Sequence, residues 1–248
     1  MSRERLVYGF HAVAARLRQD PAGVREVYVV HSRDDARSRD IAALAAERGV
    51  RVVPVPAERL DGMLPGVRHQ GVACTAQPRA AIHDIEDVLD AVQGHPLVLV
   101  LDGVTDPHNL GACLRSADAM GVHAVMAPKD RAVGLTPVVE KVASGAAETV
   151  PYVMVTNLAR SLDTLKDRGL FVVGLAGEAD GPLHAQALDG PVALVMGAEG
   201  AGMRRLTRER CDVLAAIPMS GTVESLNVSV AAGICLYEAR RQRLTAAR

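Results

Sequence analysis

Three glycine-bearing stretches hold the residues best suited to chemistry: Asp102–Ser116 (DGVTDPHNLGACLRS), Met196–Met203 (MGAEGAGM) and Ser220–Gly233 (SGTVESLNVSVAAG). Glycine lets backbone N–H and C=O groups close on a ligand where no side chain intrudes. Ser225 and Asn227 are helix-capping residue types, so orphan N–H groups behind them would face whatever the last loop encloses. Among the residues of these stretches, those singled out for chemistry are the cation Arg115, the carboxylate Glu199 and the neutral polar groups Asn109, Ser225 and Asn227. That set suits holding a polar ligand and stabilising negative charge as it develops. Asn109 and Arg115 are six apart across the start of a helix, which would let both face the loop mouth. Two structural roles compete with these readings: an ion pair of Arg115 with Glu199, and plain capping or loop closure by Ser225 and Asn227.

Other chemistries are excluded by what the chain lacks. No Gly-Lys dipeptide occurs, so no Walker-type phosphate loop is present. Gly197, Gly200 and Gly202 reverse the spacing of a dinucleotide fingerprint, and the hydrolase nucleophile elbow is missing. The eight histidines and four cysteines never fall at metal-ligand spacing, and no metal is expected. Cys74, Cys113, Cys211 and Cys235 read as reduced core residues.

In chain order the three stretches resemble the motifs of the SpoU (TrmH-like) ribose 2′-O-methyltransferases, a branch of the SPOUT superfamily. The resemblance spans roughly residues 95–243, with Asn109, Arg115, Glu199, Ser225 and Asn227 at the polar signature positions. It implies an α/β fold with a parallel sheet and a C-terminal trefoil knot, a feature that no residue pattern reveals. It further implies S-adenosyl-L-methionine as cofactor, held through backbone groups of Gly197, Ile217 and Leu226, and a homodimer whose subunits complete each other's sites. The family account has the arginine, helped by an RNA phosphate, activate the ribose hydroxyl. Because guanidinium resists deprotonation, fixing the phosphate and stabilising charge on the ribose oxygen is the safer role for Arg115. Tyr8–Val13 (YGFHAV) and Arg68–Ala73 (RHQGVA) resemble the accessory RNA-binding domain, of L30e-like fold, in members that methylate a guanosine of large-subunit ribosomal RNA. Transfer-RNA ribose methylation, a resistance methylation of ribosomal RNA and a non-catalytic RNA-binding module stay open as alternatives.

Composition fits these implications. Hydrophobic residues make up 49% of the 248, yet only two Phe and four Tyr are aromatic, so the core must be built from Val, Leu, Ala and Ile. The overall charge is −1, but residues 1–80 carry 13 Arg against 9 acidic residues, a net of +4. The rest carries 15 basic against 20 acidic residues, a net of −5. Arginine grips phosphate bidentately, so the first third is the expected RNA-facing part, with Arg18, Arg25, Arg33 and Arg68 as candidate contacts. His69 and Gln70 read either as RNA contacts or as a turn. No aliphatic run approaches a membrane span, and a cytoplasmic protein is expected.

The elements that must position these residues alternate. Ala12–Leu17 and Ala36–Arg48 read as helices, and Val24–Val30, Val50–Val55 and Gly71–Ala76 as strands. This first domain covers residues 1–76, with a linker at 77–83 and the methyltransferase domain at 84–248. In the second domain a helix over Ile85–Val92 precedes strands at Leu97–Leu101, His123–Met126, Val150–Val153, Leu170–Leu175, Val192–Met196 and Val213–Ile217. Helices are expected at Leu110–Met120, Val138–Ala143, Leu158–Arg168 and Asn227–Arg243. Short aliphatic strands without alternation predict a parallel sheet covered on both faces. The small apolar residues Ala231, Ala232, Gly233, Ile234 and Tyr237 would let another helix pack closely on the last helix, within one subunit or across a dimer; the resemblance makes it the expected dimer surface.

Overall fold

The computed structural model describes residues 4–33, 35–78 and 84–246, so most of the expected linker lies outside the described residues. The chain divides into two compact units, Met1–Ala81 with Ser144–Thr149, and Ile82–Ala143 with Val150–Arg248.

The first unit contains β1 (Arg5–Tyr8), α1 (Phe10–Gln19), β2 (Val24–Val30), α2 (Ala36–Glu47), β3 (Arg51–Val55), α3 (Ala57–Met63) and β4 (Val72–Ala76). Its sheet runs β1-β4-β2-β3; β4 is antiparallel to both neighbours, and β2 pairs β3 in parallel. Pro54 is tolerated because β3 is an edge strand. One sheet face buries Val13, Leu17, Val27, Ile41 and Cys74 under α1 and α2; the other buries Val55, Leu60 and Leu64. α2 begins where the Asp35 side chain accepts from Ser38 N–H at 2.9 Å. Two elements go beyond the expected set. β1 is only four residues long, with Arg5 and Tyr8 at its ends, and α3 carries Gly62 in its last turn, so neither shows a clear period.

The second unit opens with α4 (Ile85–Asp90), β5 (Leu97–Asp102), α5 (Pro107–Met120), β6 (Ala124–Pro128) and α6 (Pro137–Ala143). After α6 comes α7 (Ala146–Thr149), a single turn that groups with the first unit. The second unit resumes with β7 (Tyr152–Val155), α8 (Leu158–Asp167), β8 (Phe171–Leu175), β9 (Gly181–Pro182), β10 (Val192–Gly197), α9 (Arg205–Arg210), β11 (Val213–Ala216) and α10 (Val228–Ala246). The seven strands run β7-β6-β5-β10-β8-β11-β9, and every pair is parallel, as the unalternating aliphatic runs require. β5 is buried along its whole length. Strand order departs from chain order in opposite directions on either side of β5 and β10, the place where open α/β sheets take their ligands.

α5 starts with Pro107 behind an Asp106 cap and ends on Gly121 in the left-handed conformation. It packs on α6 at Gly111, where a Cβ would stand 2.6 Å from the Val142 Cβ, so only glycine fits. α10 packs on α5 through its small face, with Ala232, Cys235, Leu236 and Ala239 buried. Burial raises the Cys113 and Cys235 thiols to about 12, which leaves both protonated and inert.

Candidate active site

β5 and β10 end side by side, with Gly197 opposite Asp102 in the register. From Gly197 the chain makes a tight excursion closed by a pair of backbone hydrogen bonds between Ala198 and Gly202, at 3.1 and 2.9 Å. Gly200 and Gly202 take positive φ there. At Gly197 a Cβ would lie 2.2 Å from the Gly202 carbonyl carbon, so the fold-back itself demands glycine. The excursion presents Glu199.

Glu199 is the hub of the site. Its Oε1 accepts from Asn109 Nδ2 at 3.2 Å, from Asn227 Nδ2 at 2.6 Å and from Val228 N–H at 3.3 Å. Asn227 Nδ2 also donates to Asn109 Oδ1 at 3.0 Å. Residues 109, 199 and 227 thus form one network spanning the three loops. Asn227 does cap α10, its Oδ1 accepting from Ser229 N–H at 2.9 Å and from the Ser229 hydroxyl at 2.6 Å. Ser225, expected as a second cap, forms no hydrogen bond among the described residues and stands exposed with Glu224 on the loop.

Arg115 departs from its expected partner. Glu199 is taken up by the two asparagines and a backbone N–H, while Arg115 is exposed, without a hydrogen bond or ion pair among the described residues. The reason is helical geometry: both Asn109 and Arg115 lie inside α5, so six residues separate them by about 120° around the axis and about 9 Å along it. Asn109 points inward, at 9% exposure, and Arg115 outward. Ile217 and Leu226, on the segments after β11 and before α10, are half-buried, as is Gly197.

Asp102 escaped the sequence reading. Its fully buried carboxylate accepts from Arg204 N–H at 2.8 Å and from Arg204 Nε at 2.6 Å. Arg204 Nη1 reaches Asp130 at 3.3 Å. One carboxylate therefore faces the strand residue where the Glu199 excursion begins and grips the residue where it ends. The only signal in the sequence is an acidic residue closing a strand of aliphatic residues. A cleft of about 390 Å³ lies beside Arg204, lined also by Asp130, Asn157, Arg205 and Thr207; it contains none of the expected site residues.

A fully parallel α/β sheet, with polar loops from three motifs gathered at its switch point around one carboxylate, defines the class to which the second unit belongs. The comparisons give the family: residues 96–237 match the SpoU rRNA methylase family, and residues 6–81 match the substrate-binding domain of RNA 2′-O ribose methyltransferases. The chain belongs to the SpoU rRNA methylase family. It is 58% identical over 243 residues to the 23S rRNA (guanosine-2′-O-)-methyltransferase RlmB of Ralstonia nicotianae, covering 98% of each chain. Among solved structures, the SpoU methyltransferase AviRb of Streptomyces viridochromogenes, in complex with the cofactor AdoMet, is similar with a TM-score of 0.77 at 26% identity, over 98% of this chain and 91% of that one. A TrmH/SpoU tRNA modifying enzyme of A. aeolicus is similar over 65% of this chain and 81% of its own, with 32% identity and a TM-score of 0.57.

Proposed function

We propose that this protein transfers the methyl group of S-adenosyl-L-methionine to the ribose 2′-hydroxyl of a guanosine in 23S ribosomal RNA. The observation that carries the reading is the 58% identity, across 98% of both chains, to a relative named for that reaction. The first unit favours ribosomal over transfer RNA, since the tRNA modifying relative matches only 65% of this chain.

The cofactor fits the loops on steric grounds. Where Gly200, Gly202 and Gly221 would carry a side chain, no atom lies within 4 Å, so backbone can approach a ligand there. Backbone groups of Gly197, Ile217 and Leu226 would hold it. Bound there, it supplies a methyl group already activated by its sulfonium. The residues of the chain then have to align the ribose, fix the neighbouring phosphate and offset the charge that grows on the 2′-oxygen. Glu199 holds the Asn109 and Asn227 amides in one orientation, which suits them to position the sugar, and the exposed Ser225 hydroxyl would assist from the loop before α10. Arg115, without an internal partner among the described residues, has its guanidinium available for the phosphate and the developing oxyanion.

The family reading includes the trefoil knot, a cytoplasmic setting and a homodimer. Supporting the dimer, Val230, Ile234, Tyr237 and Leu244 form an exposed apolar stripe at helical spacing along α10. Ile234 and Tyr237 belong to the expected dimer surface, whereas Ala232 is buried within the chain. Among the described residues no helix is long and apolar enough to cross a membrane. The test is to map 2′-O-methyl positions in RNA from a strain lacking the gene and to restore the missing one with purified protein and cofactor. Loss of a transfer-RNA methyl group, with ribosomal RNA unchanged, would sink the substrate assignment.

A further inference from the structure

One end of the first unit's sheet gathers residues far apart in sequence. β1 and β2 run antiparallel to β4, so the ends of β1 and β2 meet the start of β4. Gly9 N–H donates to Val72 C=O at 3.1 Å, and Val30 N–H to Gly71 C=O at 3.0 Å. His11, His31, Arg33, Arg68 and Gln70 are all exposed on the segments brought together there. Among the described residues, the acidic groups there are engaged: Asp35 by Arg33, and Asp61 by His69 at 2.9 Å. Arg68 has no partner among the described residues, so this edge keeps a free cation.

Gln70 is the unusual residue at this edge. Its φ is +59°, the left-handed region that a side chain disfavours. The conformation is held from outside. Arg33, stacked over the Phe10 ring at 5.2 Å, donates through Nη1 to the Gln70 carbonyl at 2.6 Å. The next residue, Gly71, has a φ of +82°, and its N–H donates to His69 Nδ1 at 3.0 Å. Glycine at 70 would make the same turn without strain. Yet the chain keeps a carboxamide there that forms no hydrogen bond among the described residues, so the fold gains nothing from it. Strain retained around an exposed, unsatisfied polar group points to a ligand.

We infer that Gln70 reads an unpaired nucleobase of the RNA substrate. Its carboxamide presents a donor beside an acceptor, the pattern that pairs with a base edge, and Arg68 supplies charge for the adjoining phosphate. This rests on the RNA methyltransferase reading and adds a recognition residue in the unit that does not carry the methyl-transfer loops.

The test uses the full chain, a ribosomal RNA fragment that it methylates, and the variants Gln70→Gly and Gln70→Ala. Gln70→Gly relieves the backbone, so its melting temperature should rise, while the RNA concentration for half-maximal methylation should increase by about tenfold or more. Gln70→Ala keeps the strain and loses the amide; it should show the same RNA defect without the gain in stability. The maximal rate and cofactor affinity should stay within about twofold for both. Normal RNA dependence in both variants would overturn the inference. A defect in Gln70→Gly alone would assign the effect to backbone shape and overturn the carboxamide's role. A wild-type protein that neither binds nor methylates ribosomal RNA would overturn the enzyme reading itself.

Discussion

At the scale of single residues, the site separates a fixed part from a free part. Glu199, Asn109 and Asn227 lock one another through four hydrogen bonds, counting the one to Val228 N–H, whereas Arg115 has no internal tie among the described residues. Arg115→Ala should therefore abolish methylation yet leave the melting temperature and cofactor affinity almost unchanged, which calorimetry and a methylation assay read separately. Equal losses in both would mean that Arg115 is structural. Glu199→Gln should behave differently. Replacing a charged acceptor by a neutral amide weakens bonds worth about 1.5–3 kcal/mol, so the rate should fall by about ten- to a hundredfold with a measurable loss of stability. The residue types of this site were legible in the sequence, because polar groups in glycine-bearing loops stand out against aliphatic strands. Their partnerships were not. Linear spacing cannot show which face of α5 a side chain takes, so Arg115 was matched with a carboxylate that Asn109 actually engages.

Among the elements, the Glu199 excursion and the α5–α6 contact are the parts most sensitive to change. Asp102→Asn would turn an N–H donor toward Arg204 in place of an acceptor oxygen, loosening the end of the excursion. If Asp102 acts through that loop, combining Asp102→Asn with Glu199→Gln should cost little more activity than either alone; strictly additive losses would separate the two. Gly111→Ala would force its methyl against Val142 and, as an overpacking substitution, should cost about 1–3 kcal/mol, visible as a lower melting temperature. The long strands and helices were readable because apolar runs bounded by glycine and proline leave few alternatives. β5 and β10 gave themselves away as LVLVLD and VALVMG. The short helices α7 and α9 were missed because they are too short for a period to register. The Asp102–Arg204 clamp joins positions 102 residues apart, a distance over which local pattern is silent.

For the whole molecule, the division into units places the basic excess of residues 1–80 in the first unit and the transfer loops in the second. The sequence expectation set a boundary at residues 77–83 and did not include Ser144–Thr149, which groups with the first unit. There Glu148, almost fully buried, pairs with Arg5 and with the fully buried Arg16, the latter at 3.4 Å. Arg16 Nη2 also donates to the Gln77 carbonyl at 2.6 Å. A protein truncated to residues 82–248 would leave Glu148 without these cations. It should melt lower than the intact chain, and Glu148→Gln, harmful in the full chain, should cost the truncated form little. Weakening of RNA binding as salt rises should come mainly from the first unit, so truncation should flatten the salt slope as well as weaken binding. An unchanged slope would assign the phosphate contacts to the second unit.

The same segment sets an order of events during synthesis. Arg16 leaves the ribosome early, but its partner Glu148 lies 132 residues further on. At roughly 5–20 residues per second, the wait is on the order of ten seconds. Through that interval the first unit lacks the turn against which α1 packs, and its arginine stays hydrated instead of buried. The domain made first is thus finished only after β5, α5, β6 and α6 of the second have been made. Nascent chains stalled just before residue 144 should yield a first unit that proteases cut readily, and chains stalled well beyond residue 149 one that resists them.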